Sequence, residues 1–416
     1  MTSSHPKPQT KKLFLMMVLE FFIWGAWLPL IWGYMGKDGL NFTDSQIALV
    51  GSAFAIASVV GIFFSNQFAD RNFSAEKFMA FSHLVGGAAI LSMYWATSFP
   101  VFFGLMLVHS LFYVPTISVS NSIAFTHMKN AQKEFGLVRM GGTIGWILAA
   151  WPLYFILQGK SGAEAVSASR NIFLVSGISS LLLAAYSLML PHTPPKAAVV
   201  GESSLAWLRA GKFLSKPFLL VLFIVTFIDS TIHNGYFLMA GSFLGSSVVG
   251  IKPEWIMPVM SIGQIAEIVT MLALGAVLAR LGWKLTMILG VLGHAARFLV
   301  YAFMPENQTM IIAVQVLHGI CYAFFFATLY IFIDAAFPKD VRSSAQGLFN
   351  LLVLGLGDLA AKWIFIPLMG RLTVDGVVNF KQLFLWPSAM AGVAALILLI
   401  AFWPPKELSS NVEVSH

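Results

Sequence analysis

Seven ionisable side chains sit where charge is expensive. Glu20, Arg139, Asp229, Glu267, Arg297, Asp358 and Lys362 all fall in or beside long apolar runs of a 416-residue chain. A charge near a bilayer centre costs at least ~2.5 kcal/mol, so each is a candidate for function. Ser261, Gln264 and Glu267 recur at intervals of three, which places a hydroxyl, an amide and a carboxylate on one face of a helix. Low-dielectric surroundings favour the neutral carboxylic acid, so such a glutamate can exchange a proton near neutral pH, as a proton-coupled carrier requires. The plainer alternative for this face is a polar contact between helices.

Arg139, Thr143 and Trp146 fall at i, i+4 and i+7, so a cation, a hydroxyl and an aromatic ring share one stripe. Glycines at 141, 142 and 145 let a neighbouring helix or a ligand approach that backbone closely. Tight packing beside a snorkelling arginine is the competing reading. His318, Tyr322 and Phe325 form a further stripe beside Phe324 and Phe326. Aromatic faces suit a planar ring, such as a nucleobase, or a sugar. The phenylalanines are read as packing, which leaves His318 and Tyr322.

Asp229, His233 and Tyr236 share a stripe with Asn234 beside it, and the pattern leaves open which face is inward. Glu20, Trp24 and Trp27 make another; Glu20 is read as a second protonation site or as the partner of a remote base such as Arg297. Asp358 and Lys362 are an acid-first i, i+4 pair that neutralises itself, a structural feature. His109 and His294 look isolated and are expected to be hydrogen-bonded packing residues. The lone Cys321 is expected to pack in the core and excludes an intrachain disulfide or a multi-cysteine metal site.

The elements that carry these residues follow from composition. The chain is 58% hydrophobic and 10% charged, far from the roughly 25% charged residues of soluble domains. Crossing ~30 Å of hydrocarbon takes about 20 residues, so about twelve spans fit. They are read at 13–35, 45–68, 77–97, 100–126, 139–158, 171–191, 217–245, 255–279, 284–304, 309–335, 343–369 and 382–403, and are called spans 1 to 12. Asp334 lies near the inner end of span 10 and is expected to be wet. The first run follows Lys11 and Lys12 as in a signal peptide, but it extends to about Met35 without a clear cleavage site and is read as a retained helix.

The only long polar connector, 192–216, divides the chain into six-helix halves at 1–191 and 217–416. With both termini cytoplasmic, sixteen of the 25 basic residues lie inside, six outside, and three in or near spans. This bias accounts for the net charge of +7 without nucleic acid. No GxxxxGK[ST] motif, paired metal ligands or nucleophile motif is present, so no enzyme, cofactor or metal is expected and an ion gradient is the remaining energy source.

Twelve helices as six plus six, joined by a basic loop, resemble the major facilitator superfamily. Ala69-Asp70-Arg71 is similar to its Gly-x-x-x-Asp-Arg loop motif, with a degenerate counterpart at 279–284. More specifically, Glu20-Phe-Phe-Ile-Trp24-Gly-Ala-Trp27, Arg139-Met-Gly-Gly-Thr-Ile-Gly-Trp146, Ser261-Ile-Gly-Gln-Ile-Ala-Glu267, His318-Gly-Ile-Cys-Tyr322 and Val341-Arg-Ser-Ser-Ala-Gln-Gly347 resemble the nucleoside:proton symporter family, NupG type. The resemblance implies nucleoside uptake with protons by alternating access across a bacterial-type inner membrane, by a monomer in lipid. It implies that Arg139, Thr143, Trp146, Gln264, Glu267, His318 and Tyr322, with Asn234 from a poorly matching stretch, contact substrate. The second amide position of that stretch falls on Phe237. Two positions depart from the family: Gly141 stands where Trp is common, and Ala323 where an aspartate is frequent, which bears on proton coupling. A carrier for another small polar substrate such as a sugar, and a non-transporting receptor on the same fold, are the alternatives.

Overall fold

A computed structural model of the chain describes residues 9–64, 73–128, 131–195, 211–338, 341–405 and Leu408. The Asp70-Arg71 motif and most of the 192–216 connector lie outside the described residues, as do the side chains of Ser343 and Ser344. Among the described residues, ten helices are long and apolar enough to cross a membrane. One of them, Pro253–Phe303, runs 51 residues, about 76 Å of helix at 1.5 Å per residue and far more than one crossing needs. It breaks at Gly282, whose φ of 68° and ψ of 177° are non-helical, and so contains spans 8 and 9. Ala75–Ser92, at 18 residues, supplies span 3, the least apolar crossing.

Gly282 occupies a backbone region that is essentially closed to residues with a Cβ. Gly282→Ala is therefore expected to destabilise the protein by about 1–3 kcal/mol, read as a lowered unfolding midpoint in detergent. Gly275→Ala on span 8, where an added Cβ meets nothing within 4 Å, is the control. Equal midpoints for the two variants would remove the argument.

The remaining spans are Thr10–Met35, Asp44–Phe64, Phe99–His127, Ala131–Leu148 continued by Ala150–Leu157, Asn171–Ser187, Pro217–Leu244, Gln308–Ala336, Arg342–Arg371 and Phe380–Ala401. Span 5 begins at Ala131, two turns before the expected 139, so Arg139 lies inside the helix rather than at its start. Apolarity marks the hydrocarbon and not the helix end, which explains the difference. Spans 10 and 11 contain π-turns at Tyr322–Ala327 and Leu351–Leu356. Outside the expected spans lie a short helix, Gly162–Ala168, and a hairpin of β1 (Thr373–Val374) and β2 (Val377–Val378). Asp375 and Gly376 turn the hairpin with φ of 51° and 79°, as an Asp-Gly two-residue loop does.

The two halves repeat one packing scheme. In the first, span 1 packs on spans 5 and 6, span 3 on 4 and 6, and span 2 on 4; in the second, span 7 packs on 11 and 12, span 9 on 12, and span 8 on 10. Across the halves, span 1 meets 7, span 2 meets 11 and span 5 meets 8. Many of these contacts gather at one end. There Gly241 lies on the Pro29 carbonyl, Gly370 on Asp44, and Tyr154 packs edge-on against Trp255 at 5.1 Å.

Candidate functional site

Span 5 reaches the second half because its glycines lie against span 1. A Cβ at Gly145 would stand 2.0 Å from the Val18 carbonyl oxygen, and one at Gly141 would stand 2.7 Å from that of Phe14. The expected close approach is therefore made by a helix, and it accounts locally for Gly141: a tryptophan there would force spans 1 and 5 apart. On the opposite side Arg139, Thr143 and Trp146 face inward, all partly exposed. The Arg139 guanidinium rests over the Phe21 ring at 4.2 Å.

Span 8 supplies the acid. Glu267 faces Arg139 and lies within reach of the Thr143 hydroxyl, so the stripe of span 5 and the face of span 8 meet across the two halves. Tyr322, at the start of the span 10 π-turn, brings its hydroxyl to the same guanidinium. Gln264 is 4% exposed and its Oε1 has no partner among the described residues. A buried amide oxygen left bare is costly unless a ligand or water supplies the donor. Ser261, on the same face, gives its hydroxyl to the Met257 carbonyl at 2.9 Å and is occupied within its own helix.

Aromatic rings wall the site. Trp146 packs edge-on against Trp24 at 5.4 Å and Phe237 at 5.5 Å, and Trp24 stacks on Phe54 at 4.7 Å. Trp24 and Phe237 also line a cavity of about 20 Å³, together with Trp32, Asn234, Asp358 and Lys362. That volume holds about one water. The indole N–H groups of Trp24, Trp27 and Trp32 lack partners among the described residues. Asn234 gives its amide nitrogen to the carbonyls of Ser230 at 2.8 Å and Val353 at 3.1 Å, which ties span 7 to span 11. The Asp358–Lys362 pair closes on itself as the spacing implied.

His318 lies edge-on to Phe237 of this wall at 5.3 Å. It is 1% exposed and its Nδ1 accepts from Arg297 at 3.0 Å. It sits behind the wall of span 8, where a Cβ at Gly263 would meet its ring. Glu20 is not the partner of Arg297: its carboxylate meets His83 Nε2 at 2.8 Å and accepts from the Thr116 hydroxyl at 2.6 Å, inside the first half. The two groups lie in different bundles. His294 is likewise not isolated, because its Nδ1 accepts from Arg297 at 3.1 Å. His109 does cap the Gly86 carbonyl, at 2.9 Å. Cys321 is buried and packs beside Gly293, and Asp334 is exposed and pairs with Arg342 at 3.2 Å.

Sequence reasoning missed His83, a histidine on an apolar helix 63 residues from its acid. The signal that finds it is the internal repeat, in which it falls opposite His294.

The arrangement is one of carrier type: a cation and a hydroxyl from one bundle against a carboxylate and a phenol from the other. Comparison with known proteins agrees. YegT of Escherichia coli (strain K12) is 32% identical over 94% of this chain and 93% of its own length. The xanthosine permease of the same organism is 27% identical over 97% and 98%. The crystal structure of an aspartate-to-alanine variant of the nucleoside transporter NupG superposes with a TM-score of 0.84 at 23% identity, covering 95% of this chain and all of that one. The structure thus has the major facilitator fold. The profile of the nucleoside H+ symporter family matches residues 8–407, and the chain belongs to that family.

Proposed function

We propose that this chain carries nucleosides together with protons into the cell across an inner (plasma) membrane, as a monomer, with both termini cytoplasmic. Two halves, 1–191 and 217–416, rock about the site, and 192–216 connects them. The observation that carries the reading is the meeting of Arg139 and Thr143 with Glu267 and Tyr322 across the halves, beside Trp24, Trp146 and Phe237. Arg139, Gln264 and Glu267 bond the ribose hydroxyls, and the aromatic rings pack on the base. Asn234, from the cavity it lines, and His318, edge-on to Phe237, complete the substrate face with Thr143, Trp146 and Tyr322. Glu267 exchanges the proton as substrate comes and goes, and Glu20 holds a second proton within the first half.

A site built to bond hydroxyls rejects analogues that lack them by large factors, because its polar groups are left bare. In a thermal-shift panel, ribonucleosides such as uridine, adenosine and xanthosine are expected to raise the unfolding midpoint, since ligand binding stabilises by mass action. Free bases, free sugars and dideoxynucleosides are expected to leave it unmoved. A shift with sugars alone would replace this reading by that of a sugar carrier. Tight nucleoside binding without counterflow in proteoliposomes would make the protein a receptor.

A further inference from the structure

The two halves repeat more than their packing. Glu20, His83, His109 and Ser180 of the first half recur as Asp229, His294, His318 and Ser388 of the second, at offsets of 209, 211, 209 and 208 residues. Each quartet occupies spans 1, 3, 4 and 6 of its own half. In the first, the carboxylate is closed: His83 Nε2 lies 2.8 Å from Glu20, Thr116 donates at 2.6 Å, and Ser180 lies 3.1 Å from His83 Nδ1. In the second, an aspartate one methylene shorter stands 3.8 Å from His294 Nε2, and neither of its oxygens has a hydrogen-bond partner among the described residues. Both Asp229 and His294 are fully buried.

The tautomer is set by Arg297. Its guanidinium is always charged and only donates, so the Nδ1 atoms of His294 and His318 both accept from it, and a neutral His294 carries its hydrogen on the Nε2 that faces Asp229. An ionised carboxylate without donors, sealed from water, is the costliest state such a group can adopt. With a proton of its own it is neutral and tolerates the open gap. Without one, it draws the His294 N–H into a hydrogen bond and serves as counter-ion to Arg297. Closing the gap moves His294 and, through the shared guanidinium, His318, whose ring lies on Gly263 of span 8, next to Gln264.

We propose that Asp229 is a proton-carrying site of the second half, whose loading is passed by His294, Arg297 and His318 to the substrate face of span 8. The proposal rests on the symport reading above. The titratable and charged groups around Asp229 are His233 and Tyr236 of span 7, His294, Arg297 and Tyr301 of span 9, and His318 and Cys321 of span 10. From span 11, Asp358 and Lys362 turn to the cavity beside Asn234. From span 12, Ser388 bonds the Ala295 carbonyl at 3.2 Å.

The test has a substrate-free arm and a transport arm. In pH-difference infrared spectra of the full chain in lipid, the wild type is expected to lose protonated-carboxyl stretches as pH rises, and Asp229→Asn to lack one component that Glu267→Gln retains. Retention of every wild-type component in Asp229→Asn overturns the proposal. His294→Gln keeps that component and is expected to shift the pH at which it disappears; an unmoved profile also overturns it, and this variant decides the matter if Asp229→Asn does not fold. In proteoliposomes, Asp229→Asn is expected to lower accumulation driven by a pH gradient at least tenfold, roughly an ordinary coupling factor, while nucleoside counterflow persists. Full accumulation counts against the proposal. If the wild type exchanges no nucleoside at all, the nucleoside reading fails and the infrared arm still decides the role of Asp229.

Discussion

Glu267→Gln is expected to abolish the pH dependence of nucleoside uptake while leaving exchange of nucleoside across the membrane measurable. The substitution keeps the size and hydrogen-bonding capacity of the side chain but removes the group that gains and loses a proton. Glu267 faces Arg139 and the Thr143 hydroxyl from the other half, so its charge contributes to holding the halves together around the site. When the acid is ionised, the pair attracts; when it is protonated, Arg139 is free to meet substrate. A glutamine mimics only the second condition. Accumulation against a gradient should fall by about two orders of magnitude, the upper range of coupling between two ligands. Counterflow needs no net proton movement and should survive. Uptake with an unchanged pH profile in Glu267→Gln would refute the coupling role.

The second large effect concerns packing. Gly319→Ala is expected to destabilise the protein strongly and to weaken nucleoside binding as well. A Cβ at Gly319 would stand 2.2 Å from the Glu267 amide nitrogen and 2.4 Å from the Ala266 carbonyl carbon. Both are backbone atoms, so no side-chain rotation relieves the clash and spans 8 and 10 must separate. Overpacking of this kind costs about 1–3 kcal/mol and sometimes more. The displaced backbone is that of Glu267 itself, so stability and affinity should fall together. Unfolding midpoints and nucleoside titrations of Gly319→Ala against Gly275→Ala would measure this; a stable, fully binding Gly319→Ala would sink the packing argument.

Much of this was legible from residue spacing. The Arg139, Thr143 and Trp146 stripe and the Gln264 and Glu267 face are each contained in one helix, so a period of 3.6 residues suffices to align them. The crossings were legible because hydrocarbon demands apolar runs. What remained hidden depends on partners distant in sequence. Glu20 meets His83 and Thr116 through the packing of spans 1, 3 and 4, and no local pattern reveals which histidine answers which acid. Pairing Glu20 with Arg297 failed for that reason. The hold of Arg297 of span 9 on His318 was likewise invisible from the His318 helix alone. Hydrophobicity also cannot show that span 5 continues two turns beyond the hydrocarbon, or that a helix changes its hydrogen-bonding register partway along.

That last point has a consequence for spans 10 and 11. In the π-turns at Tyr322–Ala327 and Leu351–Leu356, bonds run from i to i+5 instead of i to i+4. One extra residue is accommodated in each, and an α-helix advances about 100° per residue. A helical wheel drawn straight through either span is therefore out of phase by about that angle on its far side. Tyr322 belongs to the wheel on one side of the turn and Tyr330 to the wheel on the other, so they cannot be assigned to a common face by counting turns. The same holds for Asn350 and Asp358, and substitutions chosen by simple periodicity past either π-turn will land on a neighbouring face.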